Sequence, residues 1–223
     1  MATSQIVIDT NVLVAGLRSR RGSAFRLLTL VDTGKFDIHL SVPLVLEYEE
    51  VLLRELPRLP VTREVVEDLI DFHCSVATRH PIFFLWRPFL PDPGDDMILE
   101  LAVKAGCEFI VTYNTRDFAG VEQFRHTRHR TRSVLTTYWS IAMSTLSVQL
   151  PNSLQTHLQE LAEREGISVE QFIATAVAEK MAALMTESYL AERAKRGSRA
   201  KYEAALAQVP DVEPEEYDRL PSS

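Results

Sequence analysis

Acidic residues in the first half of the chain stand where apolar strand patterns end or helical patterns begin. Asp9 directly follows the apolar run IVI, and Asp117 lies shortly after the run FIVT. Glu47 lies early in the helical pattern VLEYEEVLL, and Asp95 and Asp96 begin the pattern DMILELA after the turn sequence PDPG. A carboxylate beside a buried strand is costly unless its charge is compensated. Such side chains therefore need a positively charged partner or a role in local structure.

Each of these residues also has a purely structural explanation. Asp9 could cap the helix that follows it, and Asp117 could form a turn. Asp95 and Asp96 could complement a helix dipole, and Glu47 could be one solvated glutamate among its acidic neighbours. Together, however, they favour a metal site, because clustered carboxylates repel one another and Mg²⁺ or Mn²⁺ prefers oxygen ligands. Zinc is disfavoured, because the histidines and cysteines of this part lack zinc-ligand spacing.

The elements that would position these residues alternate between strand and helix. The runs QIVID, FDIHLS and CEFIVT are typical of buried strands. Helical patterns lie between them: SAFRLLTLVDTG, PLVLEYEEVLLREL, REVVEDLIDFHCSVATRH and DMILELAVKAG. This alternation predicts an α/β fold with a mostly parallel sheet flanked by helices. Ligands of such sheets bind beyond the carboxyl ends of the strands, where Asp9 would lie.

Bulk composition is that of a globular protein of 223 residues, with 46% hydrophobic and 25% charged residues. No apolar run is long enough to span a bilayer, and the start lacks the features of a secretory signal. Cys74 and Cys107 are too few for a disulfide framework. We therefore expect a cytoplasmic protein without a membrane partner. The net charge of −7 argues against general adhesion to nucleic acid but does not exclude a nuclease.

The second part of the chain has a different pattern. TLSVQLP alternates like a strand, and SLQTHLQELAEREG and SVEQFIATAVAEKMAALM are amphipathic helical patterns. One strand and two helices cannot bury this much apolar surface alone, so residues 144–185 are predicted to form at least a homodimer. The basic run RHTRHRTR lies within a linker or altered end of the first domain at 125–143. A helical and then extended tail is predicted at 186–223.

Four stretches of the first part resemble a PIN domain, and more narrowly a VapC-like toxin ribonuclease. They are IDTNVLVAG, SVPLVLEYEEVL, DPGDDMILELAVKAG and IVTYNTRDF, within a predicted domain of residues 1–124. The resemblance implies an endoribonuclease that uses Mg²⁺ or Mn²⁺ and cuts RNA. It assigns catalysis and metal binding to Asp9, Glu47, Asp96 and Asp117, with support from Thr10, Asn11, Asp95, Thr112 and Asn114.

The second part resembles the ribbon-helix-helix (VapB-like) antitoxins that partner such toxins. The resemblance implies that two ribbons pair and enter the major groove of operator DNA. Thr145, Ser147 and Gln149 would then face the bases. A dimerisation module without DNA binding is the alternative. The whole chain thus resembles a type II toxin–antitoxin module joined head to tail, with dimers or larger homo-oligomers.

The resemblance to antitoxin tails also implies self-inhibition. Lys195, Arg196, Arg199 and Lys201 cluster beyond the predicted dimer core, and one of them would enter the acidic pocket. We therefore expect the full chain to be nearly inert as a ribonuclease. The tail would be held by apolar contacts of Tyr189, Leu190, Tyr202 and Leu206.

Two other functions share features with this sequence. Haloacid-dehalogenase-type phosphatases also begin with a strand that ends in Asp, but their general acid lies two residues later, where this chain has Asn11. The stronger alternative is a DNA-binding repressor with a catalytically silent or blocked PIN-like domain.

Overall fold

The computed structural model describes residues 3–81, 90, 94–118, 121, 151–165 and 168–220. The predicted linker at 125–143 lies outside these residues. So does the predicted ribbon with Thr145, Ser147 and Gln149. In the described part of the chain, no helix is long and apolar enough to cross a membrane.

Four parallel strands of the described residues form a sheet, as the sequence predicts. They are β1 (Ser4–Ile8), β2 (Phe36–Leu40), β3 (Thr78–Arg79) and β4 (Phe109–Val111), in the order β3-β2-β1-β4. Ile6 of β1 is in register with Ile38 of β2 and Phe109 of β4. The second half of β1 is fully buried, because helices cover both faces of the sheet. Asp9 is the first residue after this apolar strand.

The helices follow most of the sequence patterns, although several of their ends differ. In chain order they are α1 (Thr10–Arg18), α2 (Ser23–Thr29), α3 (Val42–Glu55), α4 (Arg63–Val76), α5 (Asp96–Ala105), α6 (Asn152–Glu165), α7 (Val169–Arg196) and α8 (Arg199–Leu206). The predicted helix from residue 63 to residue 80 is wrong at its end, since α4 stops at Val76 and the chain enters β3. The β-branched Thr78 supports that extended backbone. The predicted boundary between residues 185 and 186 lies within the uninterrupted helix α7.

Capping fixes the helices on either side of the sheet. Ser41 caps α3 by accepting a hydrogen bond from the Leu44 amide, and a proline lies in its first turn. Helix α5 ends at Gly106, which adopts a left-handed conformation with φ 65° and donates to the carbonyls of Ala102 and Val103. Glycine suits this end of α5, because the left-handed region costs glycine little.

The C-terminal tail (residues 186–220) packs against the first domain. The end of α7 lies along α3 and α4, and α8 lies along α4. The Tyr202 ring stacks on Phe72 with centroids 4.2 Å apart, and its hydroxyl donates to the Leu28 carbonyl at 2.9 Å. Leu190, Tyr202 and Leu206 are buried, as expected of residues that hold the tail in place.

Burial of His73 under this tail predicts a loss of stability in mild acid. Its imidazole is 1% exposed, and burial lowers its pKa from 6.5 to about 4, although a hydrogen bond with the Leu69 carbonyl opposes the shift. The unfolded chain therefore binds the additional proton between these two pKa values. Stability is intact above pH 6.5 and should fall by about 3 kcal/mol as the pH drops towards 4. Urea unfolding across this range measures the slope.

Two variants show whether His73 causes this pH dependence of stability. His73→Gln should make it shallower, whereas His157→Gln, at an exposed histidine of α6, should leave it unchanged. An unchanged slope in His73→Gln would contradict the assignment.

Candidate active site

The carboxyl ends of β1 and β4 bring Asp9 and Thr112 together. The Asp9 amide continues the sheet by donating to the Val111 carbonyl at 2.9 Å. The Thr112 hydroxyl then donates to Asp9 Oδ2 at 2.5 Å. Asp9 is also the N-cap of α1, where its Oδ1 accepts from the Asn11 amide. The strand end and the helix start thus fix this carboxylate together.

Asn11 completes the surroundings of Asp9. Its side-chain Nδ2 donates to Asp9 Oδ2 at 2.7 Å and lies 3.1 Å from Thr112 Oγ1, and its Oδ1 accepts from the Tyr113 amide. Asp9 is only 4% exposed, and this burial raises its pKa even though hydrogen bonds from Thr112 and Asn11 oppose the shift. A buried carboxylate held by neutral donors gains most from a nearby cation.

Helix α3 brings Glu47 to the same edge. The Thr10 hydroxyl, next to Asp9 in sequence, donates to Glu47 Oε1 at 2.7 Å. The neighbouring Tyr48 donates its hydroxyl to the Ile8 carbonyl, which ties α3 to the end of β1. Burial raises the pKa of Tyr48 well above its usual value, and the charges of Asp9 and Glu47 add to that rise. Both carboxylates therefore lie close to this phenol.

The segment after β4 connects Asp117 to the same network. The Asn114 amide donates to Thr112 Oγ1 at 2.8 Å, and the Asn114 side chain donates to the Asp117 carboxylate. A continuous path of hydrogen bonds thus runs from Asp9 through Thr112 and Asn114 to Asp117. Asn114 occupies a position at which an aspartate would repel its neighbours, and as an amide it orients Asp117 instead.

Asp96 lies at the start of α5, which packs against β1 and β4. It is buried, and its Oδ1 accepts a hydrogen bond from the Leu90 amide at 2.9 Å. Asp95 precedes it as the N-cap residue of the helix. Within the described ranges, no three His, Cys, Asp or Glu side chains lie close enough together to hold one ion. The structure thus links Asp9 to Asp117 and places Glu47 nearby, but it does not gather all four carboxylates.

Comparison with known families gives one match. Residues 5–116, half of the chain, match the family model of the PIN domain. The chain belongs to the PIN-domain family. No curated protein and no solved structure matches it. PIN domains are generally metal-dependent nucleases. The match covers every residue assigned to the catalytic site except Asp117, which lies one residue beyond its end.

The oxygen atoms around Asp9 are of the chemical types that a hard divalent cation prefers as ligands. The side chains around Asp9 offer carboxylate, hydroxyl and amide oxygens, which Mg²⁺ and Mn²⁺ prefer over nitrogen and sulfur. Asp9 also pays a desolvation cost, seen in its raised pKa, which a bound cation would relieve. The surroundings of Asp9 therefore fit a divalent cation by their chemistry.

The basic residues of the tail contact other acidic residues of the chain. Arg196 binds Asp71 of α4 through two nitrogens, at 2.7 and 3.1 Å. Lys201 lies 3.4 Å from Asp68, also on α4. Arg199 pairs with Glu203 and with Asp32, and Lys195 is exposed. The partners that the structure gives to this cluster are therefore not the four predicted carboxylates.

The dominant tail contact is one that the sequence analysis missed. Arg193 is 4% exposed and binds Asp71 and Glu49, the latter at 2.8 Å, while its Nε donates to the Tyr189 hydroxyl at 3.0 Å. Tyr189, Arg193 and Arg196 recur on one helical face at spacings of four and three residues. That periodicity was the available signal, although it does not reveal which acids the face meets.

Proposed function

We propose that this PIN domain is a metal-dependent endoribonuclease of the VapC-like type. The observation that carries the proposal is Asp9, a buried carboxylate at the carboxyl edge of a parallel sheet, held by the hydroxyl of Thr112 and the side-chain amide of Asn11, which are both uncharged hydrogen-bond donors. Ligands of such sheets bind at this edge. Membership of a family of nucleases supports RNA as the substrate.

Some side chains of the site would bind the metal, and others orient the carboxylates that bind it. Asp9 would hold Mg²⁺ or Mn²⁺ together with Glu47, Asp96 and Asp117. When bound, such an ion supplies an activated water and stabilises charge on the phosphate and the leaving oxygen. Thr112 and Asn11 fix the direction of the Asp9 oxygens through hydrogen bonds of 2.5 and 2.7 Å. Thr10 does the same for Glu47, and Asn114 for Asp117.

The C-terminal part would complete a toxin–antitoxin module within one chain. We assign residues 144–185 to a ribbon-helix-helix dimer that binds operator DNA through Thr145, Ser147 and Gln149. The exposed apolar side chains Leu154 and Val177, on α6 and α7, support an interface with a second copy. The tail would restrain the nuclease, with Lys195, Arg196, Arg199 and Lys201 serving as docking residues beside Arg193.

RNA cleavage by the full chain tests the proposal. With Mn²⁺ present, the full chain at high concentration should cut a fluorophore-labelled single-stranded RNA internally but slowly, because the tail would restrain the nuclease. Excess EDTA should return the rate to background, since a bound cation would activate the attacking water. Gel analysis of the products distinguishes internal cleavage from trimming at the ends. Full activity in EDTA would contradict metal dependence. Absence of any cleavage at high protein concentration would favour the alternative of a silent PIN domain in a DNA-binding repressor.

A further inference from the structure

Two exposed arginines form a basic surface between α1 and α2. Arg20 and Arg21 are both exposed, whereas the neighbouring Arg18 guanidinium already lies 3.5 Å from the buried carboxylate of Glu55. Arg20 and Arg21 (the basic loop) therefore carry the charge that is available to a ligand. Guanidinium groups suit phosphate, because they present paired N–H donors.

An acidic segment of the tail covers the basic loop. This segment (residues 211–218, sequence DVEPEEYD) places Asp211 Oδ1 2.6 Å from Arg21 Nε and Glu213 Oε2 3.8 Å from Arg21 Nη1. A main-chain hydrogen bond adds to these ion pairs, since the Arg20 amide donates to the Pro210 carbonyl at 2.9 Å. The Arg20 guanidinium donates to the carbonyl of Ala207. The carboxylates of the acidic segment thus lie where the phosphates of a nucleic acid could bind.

The end of the acidic segment is anchored beside the candidate active site. Asp218 is 2% exposed, and its Oδ1 accepts from Ser23 Oγ at 2.8 Å, from the Ala24 amide at 2.7 Å and from the Tyr113 hydroxyl. Gly22 makes room for it, because a Cβ there would lie 1.7 Å from Asp218 Oδ2.

Hydrogen bonds connect the anchored end of the acidic segment to Asp9. The Tyr113 amide donates to Asn11 Oδ1 at 3.1 Å, and Asn11 in turn donates to Asp9. The residue that receives the tail is therefore one hydrogen bond from the side chain that orients Asp9.

We propose that the backbone of a single-stranded RNA substrate binds the basic loop, and that the acidic segment competes with it as an internal polyanion. This inference rests on the proposed ribonuclease function and names its substrate-binding surface and its regulation. The Arg21 and Asp211 side chains are 55% and 66% exposed, so their ion pair is weak and exchangeable. An RNA strand gains affinity by releasing counterions at each phosphate that it pairs with an arginine. The segment therefore lowers RNA affinity without closing the surface permanently.

RNA binding in EDTA tests the inference independently of cleavage. Fluorescence anisotropy of a labelled single-stranded RNA is measured with the full chain and with Asp211→Asn/Glu213→Gln. The variant should bind about tenfold more tightly, because it frees Arg21 and removes two competing charges. Adding Arg20→Gln/Arg21→Gln to this background should abolish the gain and reduce the salt dependence of log K by about 0.7 for each arginine that pairs with a phosphate.

Matched variants exclude a general effect of net charge. Glu64→Gln/Glu67→Gln neutralises two exposed carboxylates of α4 and should bind RNA like the parent chain. Gly22→Ala provides a second way to displace the segment, because its new Cβ would collide with Asp218, while the Gly22 backbone at φ −75° accepts alanine. It should also tighten RNA binding.

The outcomes separate this inference from the proposed function. Equal affinities of Asp211→Asn/Glu213→Gln and Glu64→Gln/Glu67→Gln would overturn the inference even if the chain cleaves RNA. So would a gain that survives Arg20→Gln/Arg21→Gln. The expected binding changes in a chain that never cleaves RNA would overturn the proposed function and leave the binding surface standing.

Discussion

Replacement of Arg193 by methionine should destabilise the full chain by roughly 3 kcal/mol, because it leaves the buried Asp71 and the partly exposed Glu49 without their principal cation. The Arg193 side chain binds Glu49 of α3 and Asp71 of α4 at once, and it lies almost entirely out of water. Arg196 still contacts Asp71 from the solvent side, which places the loss at the lower end of the range for a broken buried pair. Urea unfolding at neutral pH measures the difference.

Two comparisons show whether buried charge is the cause. Arg199→Met removes an arginine of the same tail whose side chain is 40% exposed and pairs with Glu203, so it should cost less than about 1 kcal/mol. Asp71→Asn in the Arg193→Met background should recover part of the lost stability, since it removes the uncompensated charge. Equal losses in Arg193→Met and Arg199→Met would show that the network does not hold the tail.

The sequence predicts the sheet well, because its strands depend on local patterns. Short apolar runs identify β1, β2 and β4, and the helices between them require parallel strands. Parallel strands bring their carboxyl ends to one edge, so Asp9 and the polar residues after β4 were predicted to meet. In the structure, the Thr112 hydroxyl contacts Asp9 at this edge. Roles in catalysis stay predictions.

Other features depend on contacts between distant segments, and the sequence pattern does not encode them. The two-residue strand β3 forms only because β2 offers it an edge, so its residues looked like the end of α4. Asp71 looked like one more polar residue of α4, although the tail buries it. For the same reason the acidic pocket seemed the natural partner of the basic tail residues, whereas Asp71 and Asp68 receive two of them.

Substitution of Asp9 by asparagine should lower ribonuclease activity at least about 100-fold while leaving the fold intact, since it removes a charge on which a bound metal depends. The asparagine keeps one oxygen, which can accept the capping bond from the Asn11 amide, while its nitrogen can donate to Thr112 Oγ1 and gives up the bond from Asn11 Nδ2. Asparagine is also as good an N-cap as aspartate, so α1 should retain its start. Because burial raises the pKa of Asp9, neutralising it should not weaken folding. Circular dichroism and thermal unfolding monitor the fold.

Asp37 offers a matched control on the neighbouring strand. It is an exposed carboxylate near the start of β2, where it accepts hydrogen bonds from the side chains of Thr3 and Gln5. Asp37→Asn therefore changes the net charge of the chain by the same amount as Asp9→Asn. Asp37 lies near the opposite end of its strand, away from the carboxyl edge of the sheet.

The most direct test of the account is the initial rate of RNA cleavage in Mn²⁺ by three full-length chains: the parent, Asp9→Asn and Asp37→Asn. The account predicts slow cleavage by the parent, whose tail restrains the nuclease, a rate within about twofold of it for Asp37→Asn, and a loss of at least about 100-fold for Asp9→Asn. Cleavage by Asp9→Asn at the rate of the parent would contradict the assignment of the active site to the carboxyl edge of β1.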